Sequence, residues 1–243
     1  MERFYDLHIH SCLSPCADND MTPVNIAGMG MLNGLSVMAL TDHNSCGNCP
    51  AFFEACRSYG ITPVAGMELT TAEDIHVVCL FRELEGALGF SETVHSRLLP
   101  IKNKPEIFGD QIFTDAVGNE TGREDILLIS ATDIFLEEAP VLVGEYGGIC
   151  YPAHIDRDAN GIIAILGDIP PEPGFVCAEI HDSELLESYR SGYPATRSMR
   201  FVSSSDAHHL WDINMNVNAF ALRGETEDEI RDSLFDILTG SAT

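Results

Sequence analysis

Positive charge is what this sequence has least of: 13 Lys+Arg stand against 38 Asp+Glu, a formal net charge of -25. That balance favours solubility and disfavours the broad basic surface that follows a phosphate backbone. The expectation is that long nucleic acid is not a partner. Long apolar runs are also missing. None reaches the length of a membrane span, and the N-terminus opens into a charged, strand-like segment without a signal-peptide pattern. A cytoplasmic protein with no membrane partner is expected. A regular cysteine framework is lacking too. Cys12, Cys16, Cys46, Cys49, Cys56, Cys79, Cys150 and Cys177 are spread through 243 residues, so they are expected to be reduced.

What is present is enough apolar material for a sizeable core, 45% of 243 residues, in a length that suits one barrel-type domain over residues 1–243. Short apolar runs alternate with amphipathic stretches, the pattern of a β/α protein with a mostly parallel sheet. The runs predict strands over Phe4–Ile9, Leu35–Leu40, Pro63–Leu69, Ile75–Phe81, Ile126–Ile129, Gly148–Tyr151, Phe175–Ile180, Phe201–Ser204 and Asn218–Leu222. Helices are predicted over Pro23–Asn33, Pro50–Tyr59, Ser91–Ile101, Asp133–Tyr146 and Thr226–Leu238, the last opening on a capping box. Residues 102–124, rich in Gly, Pro, Asn and charge, read as an irregular insert.

The histidines carry the functional signal. Of nine, six fall at or just after a proposed strand end, each beside carboxylates. His8 and His10, one residue apart, project to the same face of an extended strand and can chelate one ion together. Asp42 and His43 follow the second strand, Glu68 ends the third, and His76 opens the next. His154 and Asp206-Ala207-His208 follow later strands. In β/α barrels the loops at the carboxyl ends converge on one mouth, so these clusters are expected to form one site. Their number exceeds what one ion takes, which implies two or three divalent ions. Imidazole and carboxylate together accept zinc, manganese or iron.

The ordered set Asp6-Leu7-His8-Ile9-His10-Ser11, Thr41-Asp42-His43, Glu68, His76, Ala153-His154 and Ser205-Asp206-Ala207-His208 resembles the polymerase-and-histidinol-phosphatase (PHP) superfamily over essentially the whole chain. The resemblance implies an α/β fold, a distorted (β/α)7 barrel with its site at the carboxyl ends of the strands. It implies one ion on His8, His10, Glu68 and Asp206, and a second on His43, His208 and a residue of the first loop. A third would take His76 and His154 and share Glu68. For the loop ligand the resemblance favours Asp18, whose distance to Pro23 is similar to that in the Asp-Gly…Thr-Pro pattern common in the family. The inserted Cys12-Leu13-Ser14-Pro15-Cys16-Ala17 and the sequence Asp18-Asn19-Asp20 leave Asp20 as an alternative.

The implied activity is that of a metal-dependent phosphohydrolase. It would cleave a small phosphate ester of a nucleotide, sugar or amino alcohol through in-line attack by a metal-bound hydroxide. Asp42 is the candidate for orienting or deprotonating the nucleophile, with a supporting role behind a ligand histidine as the alternative. His208 is counted with the catalytic groups as well as the metal ligands. Arg157, three residues after His154, is expected to grip phosphate oxygens although Ile155-Asp156 replaces the more usual Pro-Gly. His181, at another strand end, is expected to line the pocket. His95 and His209 suggest only surface or packing roles. Cys12, Cys16, Cys46 and Cys49 fall in loops at the expected mouth, where a further metal site or redox switch competes with simple packing. Other readings are an amidohydrolase-type metal hydrolase, a nuclease for short oligonucleotides and an inactive metal-stabilised module.

Overall fold

The computed structural model describes residues 1–241. The elements are β1 (Glu2–Asp6), α1 (Pro23–Leu32), β2 (Val37–Leu40), α2 (Cys49–Ser58), β3 (Thr62–Thr70), β4 (His76–Phe81), α3 (Leu84–Ser96), α4 (Pro105–Phe108), β5 (Ile112–Thr114) and β6 (Glu120–Arg123). They continue with α5 (Ala139–Glu145), β7 (Gly148–Pro152), α6 (Ile162–Leu166), β8 (Cys177–Glu179), α7 (Leu186–Gly192), β9 (Arg200–Val202), β10 (Ala219–Ala221) and α8 (Glu227–Thr239). Together they form one α/β domain on a curled six-stranded sheet, in the order β10-β1-β2-β3-β4-β7.

Both faces of this sheet are buried, because alternate residues on each strand are apolar on either side. Met38 and Leu40 of β2, with Met67 and Leu69 of β3, join the core that contains Ile26, Phe52 and Phe90 of α1, α2 and α3. Val37, Ala39, Val64, Val78 and Leu80 face the other way, onto Ile230, Leu234, Phe235 and Leu238 of α8. That last helix opens with the expected capping box between Thr226 and Glu229. Helix α1 lies so close to β2 that a Cβ on Gly30 would meet Met38 Sδ at 2.1 Å.

The mostly parallel sheet expected from the sequence is only partly present. β1, β2 and β3 are parallel, but β3–β4, β4–β7 and β1–β10 are antiparallel. The cause is local for β3 and β4: the connection from Thr70 to His76 is too short for a crossover helix, so the chain must turn back as a hairpin. β8 and β9 form a separate parallel pair. Ile155 N–H donates to Glu179 O (2.9 Å) and His10 N–H donates to Ala207 O (3.0 Å), so single bonds carry the curl from β7 to β8 and from the β9 side to β1.

Two further expectations change. Residues 102–124 are not structureless, since they hold α4 and the β5–β6 hairpin, whose turn is fixed by Asp115 Oδ1 accepting from Val117 N and Asn119 N. Ile126–Ile129 is not a strand. Only Ile126 pairs with another segment, as a single antiparallel bridge to Lys102, while Gln111 bonds Ile126 O and Leu128 N and Asn44 Nδ2 bonds Leu128 O at 2.7 Å, so side-chain amides take over from the ladder after one residue. Among the described residues, no helix is long and apolar enough to cross a membrane.

Candidate metal centre

The site is built where the strands end. The chain leaves β1 through Leu7 and Ile9, both fully buried, which turns His8 and His10 toward a common point with their Nε2 atoms 3.2 Å apart. Beyond β2, Thr41 Oγ1 accepts from Ile9 N (3.1 Å) and fixes the next turn, so that His43 bridges to Glu68 of β3. β3 can pass this closely because Gly66 has no side chain; a Cβ there would lie 2.8 Å from Thr41 Cγ2 and 2.9 Å from Cys79 O. His76 is the first residue of β4 and pairs with Thr70. His154 and Asp206 follow β7 and β9 with φ of 26° and 52°, in a region non-glycine residues seldom occupy. Two expected ligands therefore sit on strained backbone.

Glu68 is the hub. Its Oε1 lies 3.3 Å from His8 Nε2, 2.9 Å from His76 Nδ1 and 3.1 Å from His154 Nε2. Its Oε2 lies 3.3 Å from His10 Nε2 and 3.1 Å from His43 Nδ1. Asp206 Oδ1 closes the opposite side, 3.4 Å from His8 Nε2 and 3.2 Å from His10 Nε2. Three sets of donor atoms fall within 4.8 Å of one another: His10, His43 and His208; His8, His10 and Glu68; His43, Glu68 and His76. They share members, so the cluster is continuous.

The residues fit divalent ions. His43 Nδ1 and Asp206 Oδ1, both facing the cluster, are buried without a well-aligned hydrogen-bond partner, a condition that costs about 1–3 kcal/mol per group unless something else takes the lone pair. Imidazole and carboxylate are the donors that zinc, iron and manganese accept. Burial opposes ionisation of Glu68, but His76, His8 and His43 hold its carboxyl well below the usual range. Burial likewise opposes ionisation of Asp206, and His8 and His10 outweigh it. In return, against the pull of burial, Glu179, Asp206 and Glu68 raise His8, and Asp206 and Glu68 raise His10 to about 9. Burial and the neighbouring His10 push His208 down to about 4.

A ring of partners fixes the imidazoles. Glu179 Oε2 takes His8 Nδ1 at 2.8 Å and also accepts from His154 N (3.3 Å). Ser14 Oγ donates to Asp42 Oδ1 (2.7 Å) and therefore receives the proton of His10 Nδ1 at 3.0 Å. His208 Nδ1 lies 2.8 Å from Asp206 O and donates to that carbonyl. In each case the proton is held on Nδ1 and the lone pair of Nε2 is left for an ion.

Of the expected residues, the structure brings together His8, His10, His43, Glu68, His76, His154, Asp206 and His208. Asp18 is not brought in. Its exposed carboxylate caps Asp20 N (2.8 Å) and lies 3.7 Å from His209 Nδ1, because its own N–H is tied to His208 O. Asp20 is also exposed, and Cys16 reaches the cavity instead. The position expected of Asp42 as a group at the nucleophile is corrected as well: it is buried behind His10, accepting from Ser11 N, Ser11 Oγ and Ser14 Oγ at 2.6–2.7 Å. Among the described residues no thiol joins the donor sets; Cys46 Sγ donates to Gly66 O at 3.1 Å. His95 pairs with Glu124 at the surface.

Two cavities meet at this cluster. The smaller, about 320 Å³, is bounded by Cys16, His43, Glu68, His76 and His154, and the larger, about 730 Å³, by His181, Ser203, Asn214 and Asn218. Arg157, Asp206 and His208 border both. Arg157 Nη1 donates to Asp206 Oδ2 (2.6 Å) and Nη2 lies 3.2 Å from His181 Nδ1. Glu179 and Ser14 went unnoticed in the sequence; Glu179 alone carried a signal, as an acid at the end of a short apolar run.

Comparison with known proteins places the chain beside a domain family, one sequence relative and several solved structures. The PHP domain profile matches residues 6–167. A 5'-3' exoribonuclease of Haemophilus influenzae is 31% identical over 83 residues, 33% of this chain and 29% of that protein. The lesion-specific endonuclease of Pyrococcus furiosus superposes over 100% of this chain and 57% of its own, with a TM-score of 0.71 at 19% identity. Endonuclease Q bound to a 27-mer duplex with an abasic lesion gives 0.64 at the same identity and coverage. A Bifidobacterium adolescentis protein classed as a metal-dependent phosphoesterase gives 0.57 at 16% identity, with 95% of both chains covered. The chain thus spans about a third of the exoribonuclease and little more than half of the endonuclease.

These matches overturn the expectation that the acidic balance leaves only small phosphorylated partners and excludes long nucleic acid. The same fold occurs in an endonuclease on a 27-mer duplex. Net charge sums the whole surface, whereas a strand responds to the local field of a cleft, where ions are the largest charges.

Proposed function

Because the chain belongs to the PHP domain family, we propose that it is a metal-dependent phosphodiesterase that cleaves a nucleic-acid strand at the cluster around Glu68. The observation that carries this reading is the shared wall of the two cavities: Arg157, Asp206 and His208 border both the donor cluster and the larger cleft. A phosphate at that wall touches the cluster while the rest of the strand has room beside it. The exoribonuclease and endonuclease among its relatives support the substrate class.

His8, His10, Glu68 and Asp206 would hold one ion, His43 and His208 a second, and His76 with His154 a third that shares Glu68. Bound there, such ions lower the pKa of water and neutralise charge on phosphate oxygens. The chain's own residues set the rest. Glu179 and Ser14 keep the Nε2 lone pairs of His8 and His10 directed inward. Asp42 anchors Ser14 and so positions His10. Arg157, fixed by one nitrogen on Asp206, has further N–H groups to donate to phosphate oxygens, and His181 braces its other side.

The test is cleavage of end-labelled RNA and DNA oligonucleotides by Mn²⁺-loaded protein. Cleavage that is lost in Asp206→Asn is the expected result. Release of phosphate from mononucleotides, with oligonucleotides left intact, would overturn the reading.

A further inference from the structure

The chain contains one tryptophan, and it is 76% exposed on the short turn Leu210–Asp212. Tryptophan pairs a large apolar ring with a polar N–H, which suits it to contact surfaces where one side is apolar and the other wet. Its exposure does not come from a loose loop. Asp212 N–H donates to His209 O (3.0 Å), Asn214 N–H to Asp6 Oδ2 (3.1 Å) and Asn33 Nδ2 to Ile213 O (2.9 Å), with Ile213 itself buried. One face of the indole is already covered: His209 lies parallel beneath it, 4.7 Å between centroids and 5° between planes. The other face is open.

The turn also lies at the reaction centre. His208, three residues before Trp211, borders both cavities, and Asp212, Asn214 and Val217 line the larger one. Met215 and Val217, 65% and 70% exposed, extend the apolar edge. The larger cavity runs from Arg157 past Ser203, Asn214 and Asn218 to Asp212, which follows Trp211 directly in the chain, so the indole stands beside the cavity's edge.

From this arrangement we infer that Trp211, backed by His209, is a stacking platform for a nucleobase of the strand whose phosphate is held at Arg157. The inference rests on the nucleic-acid reading of the site. Every base has a π face, so the platform takes any base, and specificity between bases is left to the polar groups in the cleft. Backing by His209 keeps the indole in the stacking orientation before the base arrives, so little freedom is lost on binding.

The single tryptophan makes the test direct, since all indole fluorescence reports this one position. The probes are a short oligothymidylate and an oligomer of the same length with abasic tetrahydrofuran units, both titrated into the metal-loaded Asp206→Asn protein. Oligothymidylate is expected to quench the fluorescence saturably and to bind about tenfold more tightly than the abasic oligomer. With binding followed instead by the anisotropy of end-labelled oligomers, adding Trp211→Ala should bring the ratio of the two Kd values to about one, and Trp211→Phe should restore most of it. Unchanged fluorescence with an unchanged ratio, while the native protein still cleaves oligonucleotides, would overturn the platform and leave the nuclease reading standing. Neither binding nor cleavage of either oligomer would overturn that reading and the platform with it. A shift from dimer to monomer in Trp211→Ala, with no change in the ratio, would assign the indole to self-association instead.

Discussion

Glu179 Oε2 stands 2.8 Å from His8 Nδ1, both side chains fully out of solvent. The carboxylate fixes which nitrogen carries the proton and turns the other toward Glu68 and Asp206. Glu179→Gln keeps the shape and removes the charge, and its amide can present an N–H where an acceptor is needed. Affinity for Zn²⁺ or Mn²⁺, measured by competition with a chelating dye, is expected to fall about 10- to 100-fold. Equal affinity in the variant would mean that the pair does not orient the ligand.

The metal-free protein should show an unusual dependence on pH. His10 is raised from 6.5 to about 9, and His8 is raised as well, by carboxylates that favour the charged ring. Such groups stabilise the fold fully below pH 6.5, and the contribution is lost as pH rises through the folded value. His208, lowered to about 4, does the reverse: its contribution is present above 6.5 and is lost as pH falls through 4. These groups together place a stability maximum near pH 6.5 for the protein in chelator. Metal affinity should rise between pH 6.5 and 9, by about tenfold per unit for each proton displaced. Thermal melts with and without Mn²⁺ across that range check both signs, and a chelated protein that grows more stable toward pH 9 would contradict them.

Asp42→Asn separates support from proton transfer. Ser11 N–H, Ser11 Oγ–H and Ser14 Oγ–H all donate to this carboxylate, and an amide can accept on one side only. A loss of about 1–3 kcal/mol in denaturant unfolding is expected, from the buried donors left unmatched. If Asp42 were the base, kcat would collapse with stability unchanged.

Asp18→Ala should keep the full metal content of the native protein by elemental analysis. Its carboxylate touches Asp20 N and His209 rather than the cluster. A variant short of one ion would restore Asp18 to the ligand set.

Much of the centre was readable in the sequence because chelation demands particular residue types, and those types stand at strand ends in one order. His8, His10, Glu68 and Asp206 needed only that strands converge. Glu179 could not be read in the same way: it lies 171 residues from His8, and no local spacing links them. Asp18 was misplaced because the path of its loop is set by a distant contact, its N–H on His208 O. The run at Ile126–Ile129 looked like a strand, yet Gln111 and Asn44 satisfy much of its backbone. The direction of β4 was within reach, since five residues between Thr70 and His76 leave no length for a crossover.

The bridge between Ile9 and Ala207 also sets a timetable for synthesis. β3 and β4 are neighbours in sequence and can pair as soon as both have emerged, whereas His8 meets Asp206 only after nearly two hundred further residues have been made. A ribosome-bound chain that stops short of Asp206 leaves His8 and His10 without the carboxylate that closes their far side. An ion held by both His8 and Asp206 would clasp these distant parts of the chain, and removing it should let both exchange amide hydrogens before the β3–β4 hairpin does.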